Sequence, residues 1–461
     1  MRERGPGKRL IAITVTVVAV AVAALIAGRE LSAFRAQPAQ APNGASAPTA
    51  SATGTARVTL PQPIPQPIRR TSAAAQVAWV QTFGPSATTV TYVGFDPSGR
   101  IAGRIAVTEA DAGRAFRSAD GGSIAIVGPA QITMYSALDG SKLRNYPRQL
   151  AGSVIDAAFS PDSNWLALIL GTQAAIQVLD LRSGLVQTTP LGYDPHAATP
   201  GMTTTLPGPI WSTLTFAPDS ARIYTIVDWG GPMSITAFDV TPAGLVQIAR
   251  VVDGQGGKKL SSCAGPGLAA RVLPDGKTMI AFCHMDGDVW FVDLPTLTVT
   301  DDLRSSQTNP FELSPIFTPD GQILYLRSGR FIQAVEVKSR RLTAAVAIPR
   351  KLDDRGPFGW LVGQAQAGYI ASTVPVSPDG TKLYISGSDG ITVLRVPDLK
   401  PIAILAPGLD LGEVWISGDG KTVYATDQGK HMYVVPESGG APITVTTPEG
   451  GGGYFIASEH G

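Results

Sequence analysis

Between Ile155 and Thr189 the chain spells out four strands in succession. Ile155 to Phe159 alternates in hydrophobicity and stops at Pro161. Trp165 to Leu170 is a continuous apolar run, the pattern of a strand buried on both faces. After Gly171 and Thr172 comes a third strand, Ile176 to Leu181, and Arg182-Ser183-Gly184 reverses it into a fourth, Leu185 to Thr189. The first reversal, Phe159-Ser160-Pro161-Asp162-Ser163, carries its own chemistry. Pro presets φ, Asp bonds its own backbone, and the Gly that follows in most copies of this turn supplies positive φ. Short reversals between short strands predict a four-stranded antiparallel meander.

The same turn recurs along the chain. Strict Pro-Asp copies centre on Asp162, Asp219, Asp275, Asp320 and Asp379, while the first and last, at Asp120 and Asp419, lack the proline. Successive Asp residues lie 42, 57, 56, 45, 59 and 40 residues apart. The third strand recurs with the turn, as Ile132 to Tyr135, Ile235 to Val240, Val289 to Leu294, Ile332 to Val337, Ile391 to Val396 and Met432 to Val435. Four-stranded units of about 40–45 residues are the mark of propeller blades, and longer spacings need loop insertions. The repeat therefore predicts an all-β fold, a seven-bladed β-propeller of four-stranded antiparallel blades over residues 73–448. Val77 to Phe83 and Thr88 to Phe95 read as strands that pair with the last blade, whose own part is Val414 to Val445. Residues 449–461 read as a Gly-rich tail.

The Phe-Ser-Pro-Asp-Gly type of turn, followed by an apolar strand and then by a strand ending in Val-x-Asp-Leu, resembles the bacterial WD-like and YVTN-type propeller superfamily. The likeness runs from about Ala115 to Thr447. No unit ends its third strand in Trp-Asp, and Asp228-Trp229 has the reverse order within a loop. The resemblance implies a propeller but no single activity, because surface proteins, lactonases and dehydrogenase subunits share the superfamily.

The first seventy residues follow different rules. Leu10 to Gly28 holds no charge and is long enough to cross a bilayer as a helix. Arg2, Arg4, Lys8 and Arg9 precede it, so the positive-inside rule leaves residues 1–9 in the cytoplasm and the body outside. A cleaved secretory signal is the alternative, with Ala39-Gln40-Ala41 as its site, although that triplet lies far downstream. Residues 29–72 are rich in Ala, Pro, Gln, Ser and Thr and form a linker without enough apolar surface to fold. These features predict a single-pass membrane protein with an extracytoplasmic propeller. Lys+Arg 37 against Asp+Glu 36 offers no basic excess, which disfavours nucleic acid as a partner.

Cys263 and Cys283 are the only cysteines. Outside the cytoplasm such a pair can bridge, closing a loop worth roughly 3 kcal/mol. Two buried thiols that never meet are the alternative. The long insertions, Pro190 to Trp211, Asp253 to Gly267 and Pro349 to Thr373, all fall in inter-blade links and hence on one face of the disc. They carry the candidate binding residues Tyr193, His196, Trp211, Lys258, Lys259, Arg350, Asp353, Arg355 and Trp360, joined by Trp229 from a second-to-third-strand turn. Aromatic and Arg residues typify binding hot spots. Catalytic signatures are missing from the sequence: no Gly-x-Ser-x-Gly elbow, phosphate loop, dinucleotide fingerprint or His-Glu-x-x-His occurs. His284 beside Asp286-Gly287-Asp288 reads as a polar turn, and His431 as an edge position. No cofactor or metal is expected. The reading is a non-catalytic module that binds a protein, peptide or glycan. An enzyme of the lactonase or dehydrogenase-subunit kind is the alternative, and it needs His196, Arg350 and Asp353 to converge at the channel mouth.

Overall fold

In the computed structural model, residues 72–82, 89–108, 111–149, 153–171, 173–191, 211–228, 233–252, 260, 268–283, 288–304, 314–328, 331–347, 374–427, 429–447 and 454–456 are described. Their strands form eight antiparallel sheets, numbered here as blades. Blade 1 holds β1 (Ala78–Thr82), β2 (Thr89–Phe95) and β3 (Ile101–Thr108). Blade 2 holds β4 (Arg114–Arg117), β5 (Ser123–Val127), β6 (Gln131–Ser136) and β7 (Lys142–Pro147). Blade 3 holds β8 (Val154–Phe159), β9 (Trp165–Leu170), β10 (Ala175–Asp180) and β11 (Val186–Pro190). Blade 4 holds β12 (Trp211–Phe216), β13 (Arg222–Asp228), β14 (Ser234–Thr241) and β15 (Gly244–Val252). Blade 5 holds β16 (Leu268–Val272), β17 (Thr278–Cys283), β18 (Asp288–Asp293) and β19 (Thr298–Arg304). Blade 6 holds β20 (Ser314–Phe317), β21 (Ile323–Ser328), β22 (Phe331–Glu336) and β23 (Arg341–Ala347). Blade 7 holds β24 (Lys382–Gly387), β25 (Gly390–Arg395) and β26 (Lys400–Leu405), with Val376 bridging Leu383 in the innermost place. Blade 8 holds β27 (Glu413–Ile416), β28 (Thr422–Thr426), β29 (His431–Pro436) and β30 (Ile443–Thr446).

Alternation along each strand builds the ring. On β9, Leu166, Leu168 and Leu170 pack toward blade 2, while Ala167 and Ile169 pack toward blade 4. Such a strand has no solvent face, which is why its sequence is apolar throughout. The buried residues fall into eight apolar clusters, and each one fills the seam between two consecutive blades. The seam between blades 8 and 1 joins Trp415 and Tyr424 to Ala78, Val80 and Phe95, and so closes the circle.

The propeller thus has eight blades, not the seven that the repeat predicts. The N-terminal strands do not complete the last blade, whose four strands are its own. They form blade 1, and the innermost strand of that blade is residues 454–456 from the other end of the chain. Val80 bridges Phe455, the Gln81 amide donates to the Tyr454 carbonyl, and the Ile456 amide donates to that of Trp79. Residues assigned from sequence to a tail therefore hold a place in the sheet. The miscount has a simple cause. The repeated turn joins the first and second strands of a blade, and in blade 1 those strands come from opposite chain ends, so no turn exists there to be counted.

Most of the turns also pack on one another around the disc. A Cβ added to Gly321 would lie 2.5 Å from Cδ of Pro274, the proline of the preceding blade's turn, and Gly380 meets Pro319 in the same way at 3.0 Å. Where Ser replaces Gly, the contact becomes a hydrogen bond: Ser163 Oγ accepts from the Asp120 amide and Ser220 Oγ from that of Asp162. At blade 1 a single 3-10 turn, Ala73–Gln76, takes the position of the missing reversal. The Gly418 amide donates to the Ala75 carbonyl, and Gly121 packs against Ala75 from the other side.

Candidate functional site

Connectivity gives the disc two unlike faces. First-to-second and third-to-fourth reversals emerge on one, and among the described residues they are short. Second-to-third turns and the links between blades emerge on the other. The strands bounding the three insertions, β11 and β12, β15 and β16, and β23 and the Val376 bridge, all deliver them to this connector face. Trp211 opens β12 there, with its backbone opposite Asp228. Tyr193, His196, Trp229, Lys258, Lys259, Arg350, Asp353, Arg355, Trp360 and the side chain of Trp211 lie outside the described residues. Cys283 is buried at the end of β17 and is disulfide-bonded. Cys263, the apolar run 10–28 and Gly450 to Gly453 also lie outside the described residues. Among those described, no helix is long and apolar enough to cross a membrane.

At the connector end the channel wall carries charges that no sequence motif singles out. Each is engaged with the innermost strand of the next blade. Arg114 Nη1 donates to the Ile155 carbonyl at 2.6 Å. Asp156 Oδ2 accepts from the Leu214 amide at 3.1 Å and from Thr213 Oγ1 at 3.0 Å. Burial pushes the Asp156 carboxyl upward, against the pull of Arg114 and of these hydrogen bonds. Glu413 Oε2 accepts from the Phe455 amide at 3.1 Å. Near the opposite end, Arg271 of β16 lies 5.2 Å from the ring centre of Phe317 on β20. Innermost strands have one unpaired edge, and a buried unpaired backbone group is costly. A charged side chain from the neighbouring blade satisfies it. These groups therefore close the ring, and a ligand would have to compete with the backbone for them.

Arg117 does the same for the chain ends. It donates to the carbonyls of Ala74 and Val77 and stacks 5.0 Å from the Trp415 ring centre. One side chain thus ties blade 2 to the N-terminal segment and to blade 8.

His431 is more than the edge position expected of it. Its Nδ1 lies 2.7 Å from Asp427 Oδ2 across the second-to-third turn of blade 8, on the connector face. Burial raises the Asp427 carboxyl, yet hydrogen bonds from the His431 backbone and ring and from Gly429 outweigh it and hold the group below its usual range. The imidazole is 43% exposed. The pair can orient a hydrogen bond to a ligand. The spacing Asp-x-x-x-His across a predicted turn was the available signal. No group of three or more His, Cys, Asp or Glu residues suited to a metal ion occurs among the described residues.

No family model matches the chain, and no curated protein is significantly similar to it. Solved structures do resemble it. The C-terminal WD40 domain of Sif2 superposes with a TM-score of 0.50 at 12% identity, over 77% of this chain and 90% of that one. Dihydro-heme d1 dehydrogenase NirN, in complex with DHE, superposes with a TM-score of 0.53 at 13% identity, over 87% of this chain and 80% of that one. At such identities the likeness speaks for the architecture alone. This chain has the β-propeller fold that WD40 domains and propeller enzymes share.

Proposed function

We propose that the chain is a membrane-tethered, extracytoplasmic propeller that binds a protein, peptide or glycan through its connector face. One observation carries the reading: the long insertions all leave the disc on the same side, while the turns of the other side are tight and most of them pack on one another. Loops on a rigid scaffold carry function disproportionately. The commitment of Arg114, Asp156 and Glu413 to neighbouring backbone supports recognition over catalysis at the channel mouth. The N-terminal apolar run and its flanking charges support the tether.

The test is a fragment spanning residues 72–461, immobilised and exposed to envelope extract of the source cells. Shortening the three insertions to Gly-Ser links should abolish retention of its partner. Substitutions of exposed residues in the tight turns, such as Lys277 or Lys421, should leave retention unchanged. Equal retention by the shortened form would refute the assignment of the face.

A further inference from the structure

We propose that the closing strand of blade 1, residues 454–456, is a pH-responsive latch, held shut through the protonated side chain of Glu413 and loosened when that side chain ionises. The strand is short and its ladder slight: one bridge and two backbone hydrogen bonds to β1. Its apolar side chains Phe455, in the seam with blade 8, and Ile456, in the seam with blade 2, anchor it as well. A further polar contact is the Phe455 amide on Glu413, a residue only 8% exposed. The latch therefore rests on a buried acid belonging to the neighbouring blade.

The groups acting on Glu413 decide the direction. Arg327, from β21 of blade 6, attracts the ionised form, and so does the Phe455 amide. Burial outweighs both and pushes the carboxyl up to about 7. Tyr454, on the closing strand itself, feels Glu413 as a charge and is pushed upward by burial, so it stays neutral across this range. A carboxyl raised in the closed state binds its proton more tightly there than in the open, hydrated state. The stabilisation is complete below its ordinary value of 4.5 and is lost as pH rises through about 7. Deprotonation thus favours opening, because an ionised Glu413 regains water when the strand leaves.

The full-length protein tests this by hydrogen exchange of the C-terminal peptide containing Phe455, corrected at each pH for intrinsic exchange. The opening constant should rise roughly tenfold between pH 6 and pH 8 and level off above that. Glu413→Gln, which retains an acceptor for the Phe455 amide, should stay near the protected acid level throughout. Arg327→Gln should carry the rise to higher pH, since the ionised form loses its attraction. A flat profile in the native chain, or a Glu413→Gln variant that follows the native curve, would overturn the latch.

Discussion

A buried polar group matters here according to whether the next blade answers it. Tyr384 and Tyr325 occupy the third position of the second strand in blades 7 and 6, and both phenols are pushed far above their ordinary range, chiefly by burial. The Tyr384 hydroxyl reaches Glu437 of blade 8, which also binds Lys382. The corresponding carboxylate for Tyr325, Asp398, is instead held by Arg395, and the Tyr325 hydroxyl is buried without a partner among the described residues. Removing a hydroxyl that bonds a charged group costs about 1.5–3 kcal/mol, whereas removing an unanswered one relieves a desolvation penalty. Tyr384→Phe should therefore lower stability in urea denaturation by about that amount, and Tyr325→Phe should be neutral or stabilising. Equal losses in the two variants would contradict the pairing. None of this is legible in the sequence, where the two tyrosines look alike.

Among the elements, the Pro-Asp-Gly turn is both a local reversal and a contact between blades. Gly276 and Gly321 hold the same place in successive turns, with φ of 63° and 69°. A Cβ on Gly276 would meet nothing within 4 Å, while one on Gly321 would strike the ring of Pro274 at 2.5 Å. Gly276→Ala loses only what the left-handed backbone costs, about 1 kcal/mol. Gly321→Ala adds a clash in a packed seam, and a total of about 2–4 kcal/mol is expected. Thermal denaturation of the two variants separates the contributions, and similar melting temperatures would mean that the turns do not bear on one another. The strands themselves were readable, because alternation and apolar runs follow directly from which faces are covered. The packing partner of each turn was not, since it lies a full blade away in sequence.

At the scale of the whole molecule, residues 454–456 join the far end of the chain to blade 1. Phe455 and Ile456 are 8% and 5% exposed and fill the two seams on either side of blade 1. Burying two such side chains contributes on the order of 3–6 kcal/mol, a large part of a typical domain's 5–15 kcal/mol. A chain ending at Thr447 should lose stability of that order and expose the inner edge of β1. Urea denaturation with a hydrophobic dye checks it, and an unchanged midpoint would show that the ring closes without the strand. A chain beginning at Ser72 keeps the contacts of Ala74 and Val77 with Arg117 and retains the same closure.

The kind of unit, its four strands, its turn chemistry and the side on which its long links leave were all readable from the chain, because they follow from periodicity and from residues close together in it. The number of units and the role of the charges were decided only in three dimensions. Seven turns imply eight blades when the eighth is assembled from both ends, and no local pattern announces a strand that pairs across the length of the molecule. Arg114, Asp156 and Glu413 likewise acquire their purpose from an unpaired edge that exists only once the blades stand in a circle.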